Sequence, residues 1–69
     1  MGEPENLMEG LQRELKRNRE LVKEYEAIGT AGNFGRAFIS RDIMEGEHAI
    51  ADDDVVAMLR IYNKLKENR

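Results

Sequence analysis

Cysteine and tryptophan are absent from this 69-residue chain, proline occurs once, and aromatic residues make up 6% of it. Without cysteine, no disulfide can staple so small a domain and no thiolate can hold zinc. A thiol-free chain is also indifferent to its redox compartment. No apolar run approaches the roughly 20 residues that a membrane-spanning helix needs. Charge of neither sign dominates: 14 acids stand against 11 bases for a net −3, which argues mildly against a protein whose main task is neutralising nucleic-acid phosphates. The opening Met1-Gly2-Glu3-Pro4-Glu5 has neither the basic nor the apolar stretch of a secretory signal, so a cytoplasmic location is expected.

What is present is 41% hydrophobic and 36% charged residues, the composition of a helix-rich single domain. A domain of about 60 residues buries only roughly 60% of its unfolded surface, so its core alone is marginal. With covalent and thiolate support excluded, self-association is the expected remedy.

Met8, Leu11, Leu15, Val22 and Tyr25 recur at alternating intervals of three and four, which predicts a first helix over about residues 5–28. In heptad terms Met8, Leu15 and Val22 take a, Leu11 and Tyr25 take d, and Asn18 fills the remaining d position. Leu7, Leu21 and Ile28 widen the stripe. Pro4 and the early glutamates Glu5 and Glu9 suit a helix start, and Gly29 suits its end. A glycine-rich corner over about 29–33 then leads to a second helix over about 33–51, with Thr30 as a candidate cap and Phe34 expected to plug the corner. The apolar positions of this helix, from Phe34 and Phe38 through Ile43 and Met44 to Ile50, cover more than half its circumference, marking it as the expected central element. Asp52-Asp53-Asp54 supplies a cap and first-turn carboxylates for a third helix over about 53–67, whose apolar stripe is Val55, Met58, Leu59, Tyr62 and Leu65.

The predicted fold is therefore all-α: a long helix 1 followed by a helix 2–helix 3 hairpin, assembling as a helical bundle. At 1.5 Å per residue the helices measure roughly 36, 30 and 22 Å, so the first overhangs the other two. Cover for the overhang is expected from a second copy in a twofold homodimer, with Leu7, Met8, Leu11, Leu15, Asn18 and Val22 at the interface. Asn18 either pairs across the dyad and fixes register, or sits at the solvent edge.

Candidate chemistry is sparse. Gly29, Gly32 and Gly35 form G-x-x-G-x-x-G before a helix, but neither dinucleotide nor P-loop spacing is present, and a helix stop and restart accounts for them. Glu45-x-x-His48 has the spacing of carboxylate-bridged di-metal bundles, with Glu14, Glu20 and Glu24 as further candidate ligands; none of these lies on the seam, and a solvated Glu–His pair is the usual fate of such residues. Asp52–Asp54 lack the alternation of a calcium loop. Ser40 and Thr30 have no histidine at a spacing that implies a triad, so no catalytic residue and no cofactor are expected. Arg13, Lys16, Arg17, Arg19 and Lys23 make one side of helix 1 basic and able to touch phosphates, yet they alternate with Glu9, Glu14, Glu20 and Glu24 as a mixed-charge face does.

The stretch Tyr25–Gly35, with Ala49-Ile50-Ala51 and Asp54–Tyr62, resembles a set of small uncharacterised bacterial and prophage-associated helical proteins. That resemblance implies a provenance and brings with it no activity and no site residue. Asp54–Tyr62 also looks like one helix of a tetratricopeptide unit, without the 34-residue period of an array. The expected function is a non-enzymatic, homo-oligomeric interaction protein whose partners are its own copies or another protein, with no membrane. A DNA-contacting regulator using the basic side of helix 1 and a di-metal carboxylate bundle through Glu45 and His48 are the alternatives.

Overall fold

A computed structural model describes residues 6–69; Pro4 and Glu5, expected to open the first helix, lie outside the described residues. Among the described residues 91% are helical and none forms a strand. The chain is all-α, and its three helices each pack against the other two.

Helix α1 spans Leu7–Ile28 and starts on a reciprocal cap. Asn6 Oδ1 accepts from the Glu9 N–H at 2.8 Å, and Glu9 Oε1 accepts from the Asn6 N–H at 3.3 Å, so two donors at the helix start are satisfied. The helix stops at Gly29, whose φ of 85° is a conformation that a Cβ disfavours. A single turn of 3-10 helix, Gly29–Gly32, carries the chain round the corner into α2, Asn33–Ala51. Thr30 does not cap α2: no side chain does, because the backbone arrives already helical. Gly32 is fixed by crowding, since a Cβ there would collide with the Tyr25 carbonyl oxygen.

Helix α3, Val55–Glu67, begins two residues later than the aspartate run suggests. Asp53 turns the chain in the left-handed region with φ 54°, which aspartate tolerates better than most residues. Only Asp54 then caps, its Oδ1 accepting from the Ala57 N–H at 3.1 Å. Asp52 and Asp53 belong to the turn rather than to the first turn of the helix.

The register follows from the long-range contacts. Gly46 of α2 packs on Leu15 of α1 and Gly35 on Tyr25, with Arg19 Nη2 meeting Glu47 Oε2 at 3.0 Å, while Lys64 Nζ meets Asp42 Oδ1 at 3.3 Å and the Asp54 N–H donates to the Ala49 carbonyl, so α2 runs antiparallel to both neighbours. Arg17 and Asn18 both donate to the Leu65 carbonyl, at 2.7 and 3.2 Å, and Tyr25 donates further on to Arg69, so α3 runs parallel to α1. The core is Leu11 and Leu15 of α1, Ile39, Ile43 and Ala49 of α2, and Met58, Ile61 and Leu65 of α3. Each fully buried leucine contributes about 1.5 to 3 kcal/mol relative to an exposed one.

That register corrects the premise drawn from helix lengths. Because the last turn of α3 lies over Asn18, the α2–α3 hairpin covers the N-terminal half of α1, where cover was expected to be missing. Leu11 and Asn18 are 0% exposed and Leu15 1% within the single chain. The overhang falls at the other end, where Ile28 is exposed. There Tyr25 is held only in part, its hydroxyl donating to the main-chain oxygen of Arg69 at 2.6 Å.

Asn18 is not at the solvent edge; it is fully buried within the single chain. Its Nδ2 donates to the Glu14 carbonyl at 2.7 Å as well as to Leu65, and its Oδ1 accepts from Asn68 Nδ2 at 2.9 Å. Asn68 in turn donates to Asp42 Oδ2 at 3.1 Å. Carbonyls at a helix C-terminus lack intrahelical partners. Here α1 and α2 supply groups that gather around the end of α3, and among the described residues no buried side-chain nitrogen or oxygen is left without a partner.

Candidate functional site

The six residues expected at a dimer interface separate into two groups. Leu11, Leu15 and Asn18 are spent on the core of one chain and are not available to another. Met8 is exposed, and Leu7 and Val22 are half-buried. Of the six, Met8 alone offers an exposed large apolar side chain, and most of the exposed apolar surface lies on other residues.

Those residues are on the surface in quantity. Phe34, Phe38, Met44, Val55, Val56, Leu59 and Ile28 are all exposed, with Phe34 and Val56 each at 77%. Phe34 does not plug the corner. It points out from the first turn of α2 and leans on Phe38, their ring centroids 5.0 Å apart at an interplanar angle of 55°. Helix α2 packs on both other helices and, with five of its 19 residues buried, has the largest buried share of the three, as the central element expected from its pattern. Its inward stripe is Ile39, Asp42, Ile43, Gly46 and Ala49, with Ile50 half-buried against the core, while Phe34, Phe38 and Met44 face outward. A three-helix arrangement closes over one stripe per helix. A helix apolar over more than half its circumference therefore has a surplus, and that surplus was the available signal for Phe34 and Phe38.

Met44 apart, the exposed large apolar residues lie in two places. At one end of the bundle, Ile28, Phe34 and Phe38 surround the α1–α2 corner. At the other, Met8 belongs to the start of α1, and Val55, Val56 and Leu59 to the start of α3. Between them two open grooves flank α2. The α1–α2 groove, of about 390 Å³, has Val22, Ile43 and Met44 as its floor and Arg19, Lys23 and Glu26 on its rim. The wider α2–α3 cleft, of about 690 Å³, is charged, with Arg41, Glu45, His48, Asp52, Arg60 and Lys64 among its lining.

Glu45 and His48 do share that cleft. The Glu45 carboxylate is occupied by cations, Arg41 Nε at 3.4 Å and Lys64 Nζ at 3.6 Å. Glu14 is buried between α1 and α3 and accepts from Arg17 Nε at 2.8 Å and Arg13 Nη2 at 3.2 Å, away from Glu45. Among the described residues no three histidine, aspartate or glutamate side chains are grouped so as to hold a metal ion.

On the basic side of α1, Arg17 is committed to Glu14 and Leu65, Arg19 to Glu47, and Lys23 to Glu20 at 3.2 Å. The Arg19–Glu47 and Lys23–Glu20 pairs are exposed and each contributes little to stability, whereas the Arg17–Glu14 pair has a buried carboxylate. Their effect on phosphate binding is larger, because a ligand anion must displace a carboxylate already in place. Among the described residues no helix is long and apolar enough to cross a membrane. No family model, no curated protein and no solved structure matches the chain.

Proposed function

We propose that the chain is a non-enzymatic helical protein of bacterial or phage origin that works in the cytoplasm by associating with its own copies, as a homodimer in the simplest case. The observation that supports this reading is where its largest apolar side chains stand. The chain has two phenylalanines and no tryptophan, and both phenylalanines are on the surface in contact with each other, 77% and 54% exposed. Contiguous exposed apolar surface on a small monomer marks an interaction site, and aromatic residues are enriched where binding energy concentrates. The commitment of Arg17, Arg19 and Lys23 to neighbouring acids weighs against the nucleic-acid reading. The occupied Glu45 carboxylate weighs against the di-metal one.

Sedimentation equilibrium over about 1 to 500 µM, a range that brackets weak to moderate dimers, tests the proposal. The expected mass rises with concentration from one chain of 8.0 kDa toward twice that value. A mass of one chain across the whole range would overturn it.

A further inference from the structure

The corner between α1 and α2 turns on a single residue. From Leu7 to Ala51 the chain is helical throughout, in α or 3-10 turns, and one positive φ interrupts it, that of Gly29 at 85° with ψ −143°. Ile28, Gly32 and Asn33 around it are all right-handed. With Gly29 right-handed as well, Leu7–Ala51 becomes one helix, roughly 68 Å long at 1.5 Å per residue. Its two inward stripes then run on as one. Leu11 and Ile39, Leu15 and Ile43, Asn18 and Gly46, and Val22 and Ile50 are each 28 residues apart, four whole heptads, and both members of every pair are buried or half-buried. One residue more or fewer in the corner would turn the second stripe away from the first by about 100°. The slow drift of a straight helix against a heptad repeat is taken up by a left-handed supercoil.

From this register we infer that the chain has a second, exchanged form gated by Gly29: the corner opens, and α1 of each copy packs on the α2–α3 hairpin of the other. Two straightened helices laid antiparallel about a twofold axis between Thr30 and Ala31 set Leu15 opposite Gly46 of the second copy, the contact that the closed chain makes within itself. They also set Gly29 opposite Gly32 at the axis, where no side chain holds the backbones apart. Arg17 and Asn18 then reach the Leu65 carbonyl between chains instead of within one. The occupant is therefore a second copy of this chain, whose stripe has the matching period and direction. Opening alone strips Leu11, Leu15 and Asn18 of their cover, so opening and exchange go together. The closed form leaves no part of these three residues free, which makes the exchange separate from the surface association proposed above.

Two substitutions close the corner to the chain in different ways. Gly29→Ala does so because an L-residue with a Cβ is excluded from this backbone conformation and favours the helix. Gly32→Ala does so by collision with the Tyr25 carbonyl oxygen, and is no obstacle to a straight helix. Each variant is expected to sediment as two chains at concentrations where the wild type is one, with at least the wild-type helix content by circular dichroism. The same change at residue 29 made with D-alanine, for which positive φ is the ordinary hand, should leave a single chain. In a Gly29→Ala dimer refolded from equal parts of isotope-labelled and unlabelled chain, filtered nuclear Overhauser contacts should join Leu15 of one chain to Gly46 of the other. Variants of Gly29 and Gly32 that both remain single chains, folded or not, overturn the inference. A dimer without the Leu15–Gly46 contact between chains overturns it too, since surface pairing then accounts for the mass, as does a D-alanine chain that pairs like the L-alanine one. A wild type that never associates removes the surface proposal and leaves this inference standing.

Discussion

Replacing Leu65 with alanine is expected to lower the unfolding free energy by about 2 to 5 kcal/mol, the range for a buried leucine whose cavity cannot fully collapse. Leu65 has no exposed surface, and it lies where α3 closes against α1. Its own carbonyl is held by Arg17 and Asn18, so the last turn cannot slide inward to fill the space. A chain of this size has a total stability of roughly 3 to 10 kcal/mol, and the change therefore takes a large part of it. Urea titration followed by circular dichroism, at concentrations where the chain is a monomer, reads the effect. Leu59→Ala is the control: the same side chain on the same helix, 53% exposed, should change stability by no more than about 0.5 kcal/mol. Equal losses for the two would contradict the packing described for α3.

The second large effect is expected at Asn18, and its size depends on the replacement. Asn18→Asp converts a buried amide donor into a carboxylate facing the Glu14 and Leu65 carbonyl oxygens, with Asp42 already sharing Asn68. Arg17 is nearby but is engaged with Glu14 and Leu65. A buried charge without a free partner costs about 3 kcal/mol or more. Asn18→Leu should cost about 1 kcal/mol or less, because Arg17 still serves the Leu65 carbonyl, Asp42 still serves Asn68, and an apolar group suits the core around it. Thermal melts of the two variants give the order. An Asn18→Leu variant less stable than Asn18→Asp would contradict the account of this position.

These two residues show what a sequence of this kind reveals. The helices are legible from local signals: spacings of three and four and Gly29 as a stop act over a few residues and need no knowledge of the rest of the chain, while the caps at Asn6 and Asp54 set starts one or two residues later than Pro4–Glu5 and the aspartate run suggest. The surroundings of Asn18 are not local. Its partners Leu65 and Asn68 lie 47 and 50 residues away, and whether they reach it depends on how far α3 slides along α1. Helix lengths alone placed the overhang at Leu7, Met8 and Leu11; one observed register, Leu65 over Asn18, moves it to Ile28. The exposure of Phe34 has the same origin. Its hydrophobicity is plain in the sequence, but the corner is closed by Gly32 tucked under the Tyr25 carbonyl, which leaves no space inside for a ring.

The association surface was the least legible part, because the residues most suited to a coiled-coil seam turn out to be core. Leu11 and Leu15 satisfy the heptad pattern by packing within their own chain, Leu15 lying so close to Gly46 that a Cβ there would be 2.9 Å from its Cδ2. A heptad pattern reports that a helix has one apolar stripe. It does not report which molecule covers the stripe.

The central claim is that Leu11, Leu15 and Asn18 are sheltered inside each chain while copies meet through the exposed phenylalanines, and amide chemical shifts followed through a dilution series test it most directly. On this account dilution moves the resonances around Phe34 and Phe38, and leaves Leu11, Leu15 and Asn18 where they were. Shifts centred on Leu11–Asn18, with Phe34 and Phe38 unchanged, would contradict it.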